Sequence, residues 1–237
     1  AFNSNDLNSN RVGGTEKCLI NISNELAKDT NLKIKVFNNS NESITLNNVE
    51  WINIKEYSKY ENPDVLISFS DMNLFDKSKC KKKFLWSHSV QNFEKFIRKK
   101  QLFSYFKHKP IIILEGEYHF NKRSAITSFF GKKILKLAPD YEFINEKIDY
   151  NFIPAKNCIF TTKSDRNLNI LLKAWHNIFL LNKDANLLIN PPYNLTNDLL
   201  DKNVKLRIKG NKQDLIKDLK SSRIMLVPGH KGEVFCL

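Results

Sequence analysis

The sequence contains little glycine, proline, cysteine or arginine. Its 237 residues include only 7 glycines, 7 prolines, 4 cysteines and 6 arginines. So little glycine and proline excludes a collagen-like or low-complexity chain. A transmembrane helix needs about 20 largely apolar residues, whereas the densest apolar run here, Ile111–Leu114, is closed by Glu115. The 17 phenylalanines, 7 tyrosines and 3 tryptophans still supply enough apolar mass for a core, which excludes disorder of the whole chain.

Several catalytic and metal-binding motifs are absent as well. There is no Walker phosphate loop, no G-x-S-x-G elbow and no G-x-G-x-x-G dinucleotide fingerprint. No Asp-x-Asp pair occurs, so metal-dependent sugar transfer lacks its usual ligands, and we expect no metal site. The cysteines form no C-x-x-C pair, and no signal peptide is recognisable, so we expect reduced thiols in a cytoplasmic protein.

The charge is strongly positive and unevenly placed. The net charge is +13, and 32 of the 38 basic residues are lysines, whereas nucleic-acid recognition relies on arginine. We therefore expect an anionic partner other than nucleic acid. Residues 76–109 hold 11 of the basic residues against Asp76 and Glu94, about two-thirds of the excess charge. This stretch is either a solvated basic face or a surface that rests on an anionic membrane.

Short apolar runs alternate with amphipathic stretches along the chain. They predict strands at 32–37, 51–54, 64–69, 84–86, 111–114, 157–161, 186–189, 204–208 and 223–227. The continuous apolar run at 64–69 is typical of a buried parallel strand, and the alternation within 32–37 predicts that Leu32, Ile34 and Val36 face inward. They predict helices at 15–29, 91–106, 125–137, 167–181, 194–200 and 212–220. Such alternation is typical of α/β proteins with parallel sheets. Polar residues 145–156 interrupt the pattern, so we predict two doubly wound domains, 1–150 and 151–237, the second incomplete in this chain.

Four segments hold candidate site residues. Gly13 and Gly14 precede the first helix, where glycine lets the backbone approach an anion at the helix N-terminus, although a simple capping turn explains them too. His88 follows strand 84–86, at the carboxyl end where open α/β sheets bind ligands; a solvent-exposed loop histidine is the alternative. His119, His176 and His230 have weaker contexts.

The other two segments lie in the second half. Lys163 and Arg166 follow strand 157–161, and basic residues there can hold a pyrophosphate; a solvated turn is the alternative. The loop 228–235 (PGHKGEVF) carries Glu233, and a carboxylate can accept hydrogen bonds from sugar hydroxyls; a plain turn is the alternative.

Taken together, these segments resemble the retaining GT-B glycosyltransferases, specifically glycosyltransferase family 4. The resemblance rests on GGTE before the first helix, on the histidine after a strand, and on segments 158–178 (CIFTTKSDRNLNILLKAWHNI) and 224–237 (IMLVPGHKGEVFCL). It covers nearly the whole chain, and the second-half segments are its more specific part. It implies two Rossmann-like domains that face each other across a cleft, with a nucleotide-sugar donor held mainly by the C-terminal one.

The resemblance also implies residue roles. Gly13 and Gly14 would approach the donor phosphates, and His88 would lie near the transferred sugar as a catalytic residue. Arg166 stands where the family has a lysine that neutralises the pyrophosphate. Glu233 matches the first carboxylate of the E-x7-E motif, a catalytic and sugar-binding residue. The remaining sugar and phosphate contacts would come from the backbone N–H groups of Phe235, Cys236 and Leu237.

Two positions depart from the family pattern. The family's arginine, five positions before its lysine, falls on Thr161, and we expect Lys163 to supply that charge. The second glutamate of E-x7-E would stand at position 241, beyond Leu237. We therefore expect this chain by itself to bind the donor poorly.

The implied function is sugar transfer from a nucleoside-diphosphate sugar, of the UDP or GDP type, with retained anomeric configuration. The reaction would need no metal and no resident cofactor. A glycan or lipid-linked molecule of cell-envelope polysaccharide synthesis would be the acceptor, and the protein would be cytoplasmic and peripheral to the membrane. The alternative is a non-catalytic GT-B-like module that binds a nucleotide or another anion.

Overall fold

The computed structural model describes residues 1–8, 12–59, 62–90, 93–125, 127, 132–135, 149, 151–162, 165–190, 203–207 and 212–229. The described residues up to 135 form one compact unit, and those from 149 to 229 form another. The predicted domain boundary at residue 150 lies outside the described residues.

The first unit contains two sheets with short helices between the strands. Its strands are β1 (Ile34–Asn38), β2 (Ile44–Leu46), β3 (Val49–Asn53), β4 (Val65–Phe69), β5 (Lys82–Trp86), β6 (Ile111–Leu114) and β7 (Lys132–Ile134). Its α-helices are α1 (Gly14–Leu26), α2 (Phe93–Arg98), α3 (Leu102–His108) and α4 (Glu117–Lys122). Short 3-10 helices lie at Ser4–Asn8, Ile54–Lys59 and Met72–Lys77.

The two sheets differ in strand direction. One has the order β1-β3-β2, with β1 parallel and β2 antiparallel to β3. The other has the order β4-β5-β6-β7, and each neighbouring pair is parallel. In a parallel sheet all strands end at the same edge, so the residues that follow β4, β5 and β6 lie side by side.

Each sheet has its own apolar cluster. α1 covers the first sheet through fully buried Ile20, and Trp51 is buried in the same cluster while its Nε1 donates to Ser4 Oγ at 3.1 Å. The second sheet packs its buried strand residues against the 3-10 helix at Met72–Lys77 and against α2 and α3. The buried members of that cluster are Met72, Phe75, Leu85, Phe96, Tyr105, Ile112 and Leu114.

The second unit is a parallel sheet of order β10-β9-β8-β11. It comprises β8 (Asn157–Phe160), α5 (Leu168–Leu181), β9 (Asn186–Ile189), β10 (Val204–Leu206), α6 (Lys212–Lys220) and β11 (Ile224–Met225). On α5, Leu168, Leu171 and Trp175 recur at helical spacing, and all are buried against the sheet. Trp175 is fully buried.

Most predicted elements are confirmed. Predicted strands 111–114 and 186–189 and predicted helix 212–220 have the bounds expected, and strands 84–86 and 157–161 and helices 15–29 and 167–181 shift at their ends. Strands 32–37, 51–54, 204–208 and 223–227 also form with shifted bounds. The predicted helix 194–200 lies outside the described residues.

One predicted helix is wrong in its second half, and another is interrupted. Residues 132–134 of the predicted helix 125–137 form β7 instead, because they pair in parallel with β6. The helix of this region is α4, which ends at Lys122. The predicted helix 91–106 is interrupted after Arg98, where Lys100 takes a left-handed backbone conformation with φ of 53° that separates α2 from α3.

The degree of burial was overestimated in two strands. Segment 64–69 was expected to be a buried strand, but β4 lies at the end of its sheet, and Val65 and Ile67 are 46% and 39% exposed. Leu32 was expected to face inward at the start of β1, but it precedes the strand and is 45% exposed.

Candidate functional site

The strand register of the first unit brings His88 and Glu115 to the same place. β5 and β6 pair in parallel with Trp86 opposite Ile113, so His88 stands opposite Glu115, two residues beyond this pair. The pairing extends past the strand, since Ser87 N donates to Ile113 O at 3.2 Å. This position is the carboxyl edge of the sheet, where open α/β sheets bind ligands. The structure thus places the predicted residue His88 at this edge beside a carboxylate that sequence reasoning did not assign.

Glu115 is a buried carboxylate that binds His88. Its Oε1 accepts a hydrogen bond from Nδ1–H of His88, and the side chains of Glu115 and His88 are 3% and 16% exposed. The same oxygen accepts a hydrogen bond from Trp86 Nε1 at 3.2 Å. A buried carboxylate is stable only when such donors replace water. The two donors therefore fix the position of Glu115 as much as Glu115 fixes the imidazole.

Two aromatic rings hold the plane of the imidazole. The ring of His88 stacks on Phe69 with centroids 5.4 Å apart and on Trp86 with centroids 5.3 Å apart, at interplanar angles of 17° and 23°. Phe69 ends β4 and Trp86 ends β5. Three adjacent strands therefore contribute to the setting of one histidine.

This setting defines which nitrogen of His88 can act on a ligand. A carboxylate only accepts, so Glu115 takes the hydrogen bond from Nδ1–H, and in the neutral ring Nε2 keeps its lone pair. Within the described part of the chain, the buried Nε2 has no hydrogen-bond partner. A histidine that is oriented by a carboxylate through Nδ1 and whose Nε2 is unpaired is suited to acid–base chemistry or to binding a hydroxyl group.

His119 and Cys18 lie beside this pair. The Glu115 backbone N–H donates to Nδ1 of fully buried His119 at 3.3 Å, and burial lowers the pKa of His119. Burial, together with the negative charge of Glu115, raises the pKa of the Cys18 thiol on α1 to about 11. Cys18 is therefore an inert thiol near neutral pH. Little in the sequence indicated that His119 belongs to a site. Its contact with Glu115, four residues earlier, depends on α4, a helix that the sequence did not predict.

A cation lies close to the same loop. Lys95 on α2 donates to Ser89 Oγ, one residue after His88. Burial, with Lys99 and Arg98 nearby, lowers the pKa of Lys95 to about 8. Sequence reasoning placed Lys95 in the basic stretch but gave it no role at the site.

Gly13 and Gly14 begin α1 on the surface of the same unit. Gly13 is the N-cap with extended backbone, and Gly13, Gly14 and Thr15 are exposed. A Cβ at Gly13 would meet only the flexible end of Glu16, whose Oε2 would be 2.8 Å away. Because Gly13 and Gly14 carry no side chain, the N–H groups of the first turn stay open to an anion. Such an anion would meet the carboxylate of Glu16 at the same helix end, and Glu16 would have to turn away.

In the second unit, the structure describes one predicted site residue, Arg166. It lies between β8 and α5, its side chain is 35% exposed, and its Nε is 4.0 Å from Asp165 Oδ1. Asn167 caps α5 with a left-handed backbone, φ 62°, and its Nδ2 donates to Gly229 O at 2.5 Å. The turn after β8 is thereby tied to the segment after β11. Lys163, Glu233, Phe235, Cys236 and Leu237 lie outside the described residues.

A polar network not assigned from the sequence lies at the carboxyl edge of the second sheet. Asn190 follows β9 and donates to Thr161 O, which follows β8. Arg207 follows β10, and its guanidinium donates to Asn190 Oδ1 at 2.5 Å and to Asp218 Oδ2 at 2.7 Å. The Arg207 side chain is 7% exposed. Its charge is therefore matched by Asp218, and the network ties three strand ends together.

Metal and membrane features are limited in the described ranges. No three His, Cys, Asp or Glu residues among the described ones are grouped so that they could hold a metal ion. No described helix is long and apolar enough to cross a bilayer.

Comparisons with known proteins identify the fold. No protein-family model matches the sequence, and no curated protein matches it. The solved structure of TarM, a staphylococcal glycosyltransferase of the GT-B type, matches with a TM-score of 0.51 and 14% sequence identity. The match covers 72% of this chain and 37% of the TarM chain. A point mutant of S. aureus TarM, solved with fondaparinux, alpha-GlcNAc-glycerol and UDP, has a TM-score of 0.48 and 14% identity, covering 70% of this chain and 36% of its own.

The match with a TM-score of 0.51 agrees with the parallel sheets and alternating helices of this chain. The chain spans little more than a third of the length of TarM. The predicted fold class is confirmed: the chain has a mixed α/β fold with Rossmann-like parallel sheets, of the GT-B type.

Proposed function

We propose that this chain is part of a retaining glycosyltransferase of the family 4 type. It would transfer a hexose from a UDP- or GDP-sugar to a glycan or lipid-linked acceptor of the cell envelope, without a metal ion or a resident cofactor. The observation that carries the proposal is the His88–Glu115 pair at the carboxyl edge of a parallel sheet, in a chain of GT-B-type fold. The family assignment, the retention and the residue roles come from the sequence motifs.

In this proposal His88 acts in the acceptor-side unit. Glu115 accepts from Nδ1–H, so Nε2 would be the nitrogen that contacts the bound ligand, through its lone pair or its proton. This nitrogen would contact a hydroxyl of the transferred sugar near the reacting carbon. Gly13 and Gly14 would let the donor diphosphate approach the N–H groups at the start of α1.

The donor-side roles follow from the motifs of the second half. Arg166, together with Lys163, would neutralise the diphosphate as it leaves the sugar. Glu233 and the backbone of Phe235, Cys236 and Leu237 would bind the sugar. Removal of one well-placed charge-assisted contact costs on the order of 2–4 kcal/mol in the transition state.

Arg166 provides the test of this proposal. Because the chain spans 37% of TarM, the assay uses the protein expressed from its complete gene. Wild type is expected to show a thermal shift with a UDP- or a GDP-sugar and to release the nucleoside diphosphate. Arg166→Ala should weaken donor binding and slow release by roughly 30- to 1000-fold. Arg223→Ala, which removes an exposed arginine bonded to the Pro154 carbonyl, is the matched control. Near-wild-type release by Arg166→Ala would remove the phosphate role of Arg166.

One observation favours the alternative, a non-catalytic module that binds a nucleotide or another anion. Thr161 stands where the family has an arginine. Such a module would give a thermal shift with the nucleotide but no release of diphosphate from any sugar donor. The same assay therefore separates the two functions.

We further propose that the protein works at the cytoplasmic face of an anionic membrane and contacts it through residues 76–109. The support is the concentration of 11 basic residues in that stretch. A lipid-linked acceptor would then lie close to the enzyme.

A further inference from the structure

The helices α2 and α3 expose apolar side chains that a core would normally bury. Their inward faces meet in the core, where Phe96 and Tyr105 are 1% and 0% exposed with ring centroids 4.5 Å apart. Their outward faces carry four large apolar side chains: Phe93 (46% exposed), Ile97 (54%), Phe103 (79%) and Phe106 (48%). Phe93 and Ile97 are one helical turn apart on α2, and Phe103 and Phe106 are on α3, so each helix presents an apolar pair.

Polar bonds keep α3 in this orientation. Buried Ser104 Oγ donates to Asp76 Oδ2 at 2.9 Å, and exposed Lys107 Nζ donates to Asp76 Oδ1 at 2.5 Å. His108 also contacts Asp76 at 2.8 Å and Lys83 at 2.9 Å. Rotation of the helix that buried Phe103 would break these bonds. These bonds therefore hold α3 in the orientation that leaves Phe103 exposed.

Basic residues surround the apolar side chains. Between Phe93 and Lys109 there are six lysines or arginines and one acidic residue, Glu94. Arg98, Lys99 and Lys100 form the exposed connection between the two helices. Lys109 is exposed as well, directly after α3. We call α2, α3 and their connection, residues 93–109, the α2–α3 face.

We propose that the α2–α3 face docks on an anionic lipid bilayer, with Phe103 inserted among the lipid chains. Aromatic and aliphatic side chains flanked by lysine and arginine are the composition of segments that lie in a membrane interface. A protein partner would disfavour this many lysines at the centre of its contact. A soluble polyanion would be attracted by the basic residues, but it would not bury the apolar side chains of Ile97 and Phe103. The proposal rests on the membrane contact proposed above for residues 76–109, which it narrows to residues 93–109 with Phe103 inserted, and it does not depend on the reaction that the protein catalyses.

The direct test is insertion of position 103. All three tryptophans of the chain are at most 2% exposed, so Phe103→Trp adds a single exposed indole. The full-length protein carrying this variant is mixed with vesicles of phosphatidylglycerol and phosphatidylcholine that contain brominated acyl chains. Its fluorescence should shift to the blue and be quenched, whereas wild-type fluorescence should change little. Binding to vesicles without blue shift or quenching would overturn the insertion.

Paired variants separate the two components of the binding. Phe103→Ser should lower the vesicle partition coefficient about 10-fold, whereas Leu181→Ser, at an 85% exposed leucine of α5, should not. Changing Arg98, Lys99 and Lys100 to glutamine should lower it roughly 100-fold at low salt. The control triple change of Lys205, Lys217 and Lys220, also exposed, should have at most a small effect.

Two outcomes would contradict the proposal. One is equal loss of vesicle binding in the test triple and the control triple, which would mean that overall charge alone attracts the protein. The other is binding of a soluble polyanion such as heparin or RNA that exceeds vesicle binding and is unaffected by Phe103→Ser. All substituted residues are exposed, and unchanged circular dichroism confirms that each variant is folded.

Discussion

At the residue scale, the central feature is a buried carboxylate, Glu115, whose Oε1 binds two neighbouring donors. Glu115 is joined to His88 and to Trp86, and its backbone N–H binds His119. Sequence reasoning assigned His88 but not Glu115, because the two residues are 27 positions apart in the chain and only the pairing of β5 with β6 brings them together. The pair could have been found by aligning the residues that follow strand 84–86 with those that follow strand 111–114, since neighbouring parallel strands end at the same edge.

Glu115→Gln tests whether this carboxylate positions His88 for turnover. The amide keeps the volume but loses the charge-assisted bond to Nδ1, so we expect kcat to fall about 10- to 100-fold with KM for the donor little changed. The measurement is release of nucleoside diphosphate by the protein from its complete gene. Glu117→Gln, at an exposed position two residues on, is the control. An unchanged kcat with reduced thermal stability would show that Glu115 serves the fold alone.

His119 makes the stability of the chain depend on pH. Burial lowers its folded pKa below the unfolded value of about 6.5, so the unfolded chain binds more protons between the two values. The stability is therefore fully present above pH of about 6.5 and is lost as the pH falls toward the folded pKa. Urea unfolding of wild type should show a free energy of unfolding that rises from pH 5 to pH 7.

The rise in the free energy of unfolding between pH 5 and pH 7 should be smaller in a variant that lacks His119. One proton can contribute at most about 1.4 kcal/mol per pH unit. In His119→Gln the rise should be smaller by this contribution, whereas in His176→Gln, at an exposed histidine of α5, it should match wild type. Identical pH profiles for wild type and His119→Gln would show that His119 does not carry the dependence.

At the element scale, the turn between β6 and α4 decides where Glu115 stands. Gly116 has φ of 137° and ψ of 176°, a conformation that is essentially restricted to glycine. An added Cβ would meet no atom within 4 Å, so any cost of a side chain there comes from backbone strain.

Gly116→Ala should therefore destabilise the protein by about 1–3 kcal/mol without a steric clash. Chemical denaturation measures the change, and Glu117→Ala, at the exposed next residue, should stay within about 0.5 kcal/mol of wild type. If Gly116→Ala were as stable as Glu117→Ala, the turn would not be strained, and its glycine would have no structural role.

Elements were predictable where their signal is local. The apolar run Ile111–Leu114 and the amphipathic spacing of Lys212–Lys220 have the predicted bounds. Residues 132–134 were misassigned to a helix because their strand conformation comes from pairing with β6, which local propensity does not contain. The interruption of the predicted helix 91–106 depends on the left-handed Lys100, and lysine is not a residue that signals such a turn.

At the scale of the whole molecule, the alternation of strands and helices was enough to predict an α/β fold with parallel sheets. The site was only partly predictable. His88, Gly13 and Gly14 follow strand-end and helix-start rules that the sequence displays. Glu115, His119 and the Arg207 network arise from contacts between strands and helices that are far apart in the chain. The structure also shows that part of the positive charge lies beside exposed aromatic side chains, at the α2–α3 face.

The most direct test of the proposed function is the anomeric outcome of donor cleavage. The protein from its complete gene is incubated with UDP- and GDP-sugars, water serves as the acceptor, and proton NMR follows the anomer that is released first. We expect one donor to release its sugar with the anomeric configuration of the donor, and we expect His88→Ala to slow that release. Release of the inverted anomer would contradict retention, and no release from any of these donors would contradict the glycosyltransferase itself.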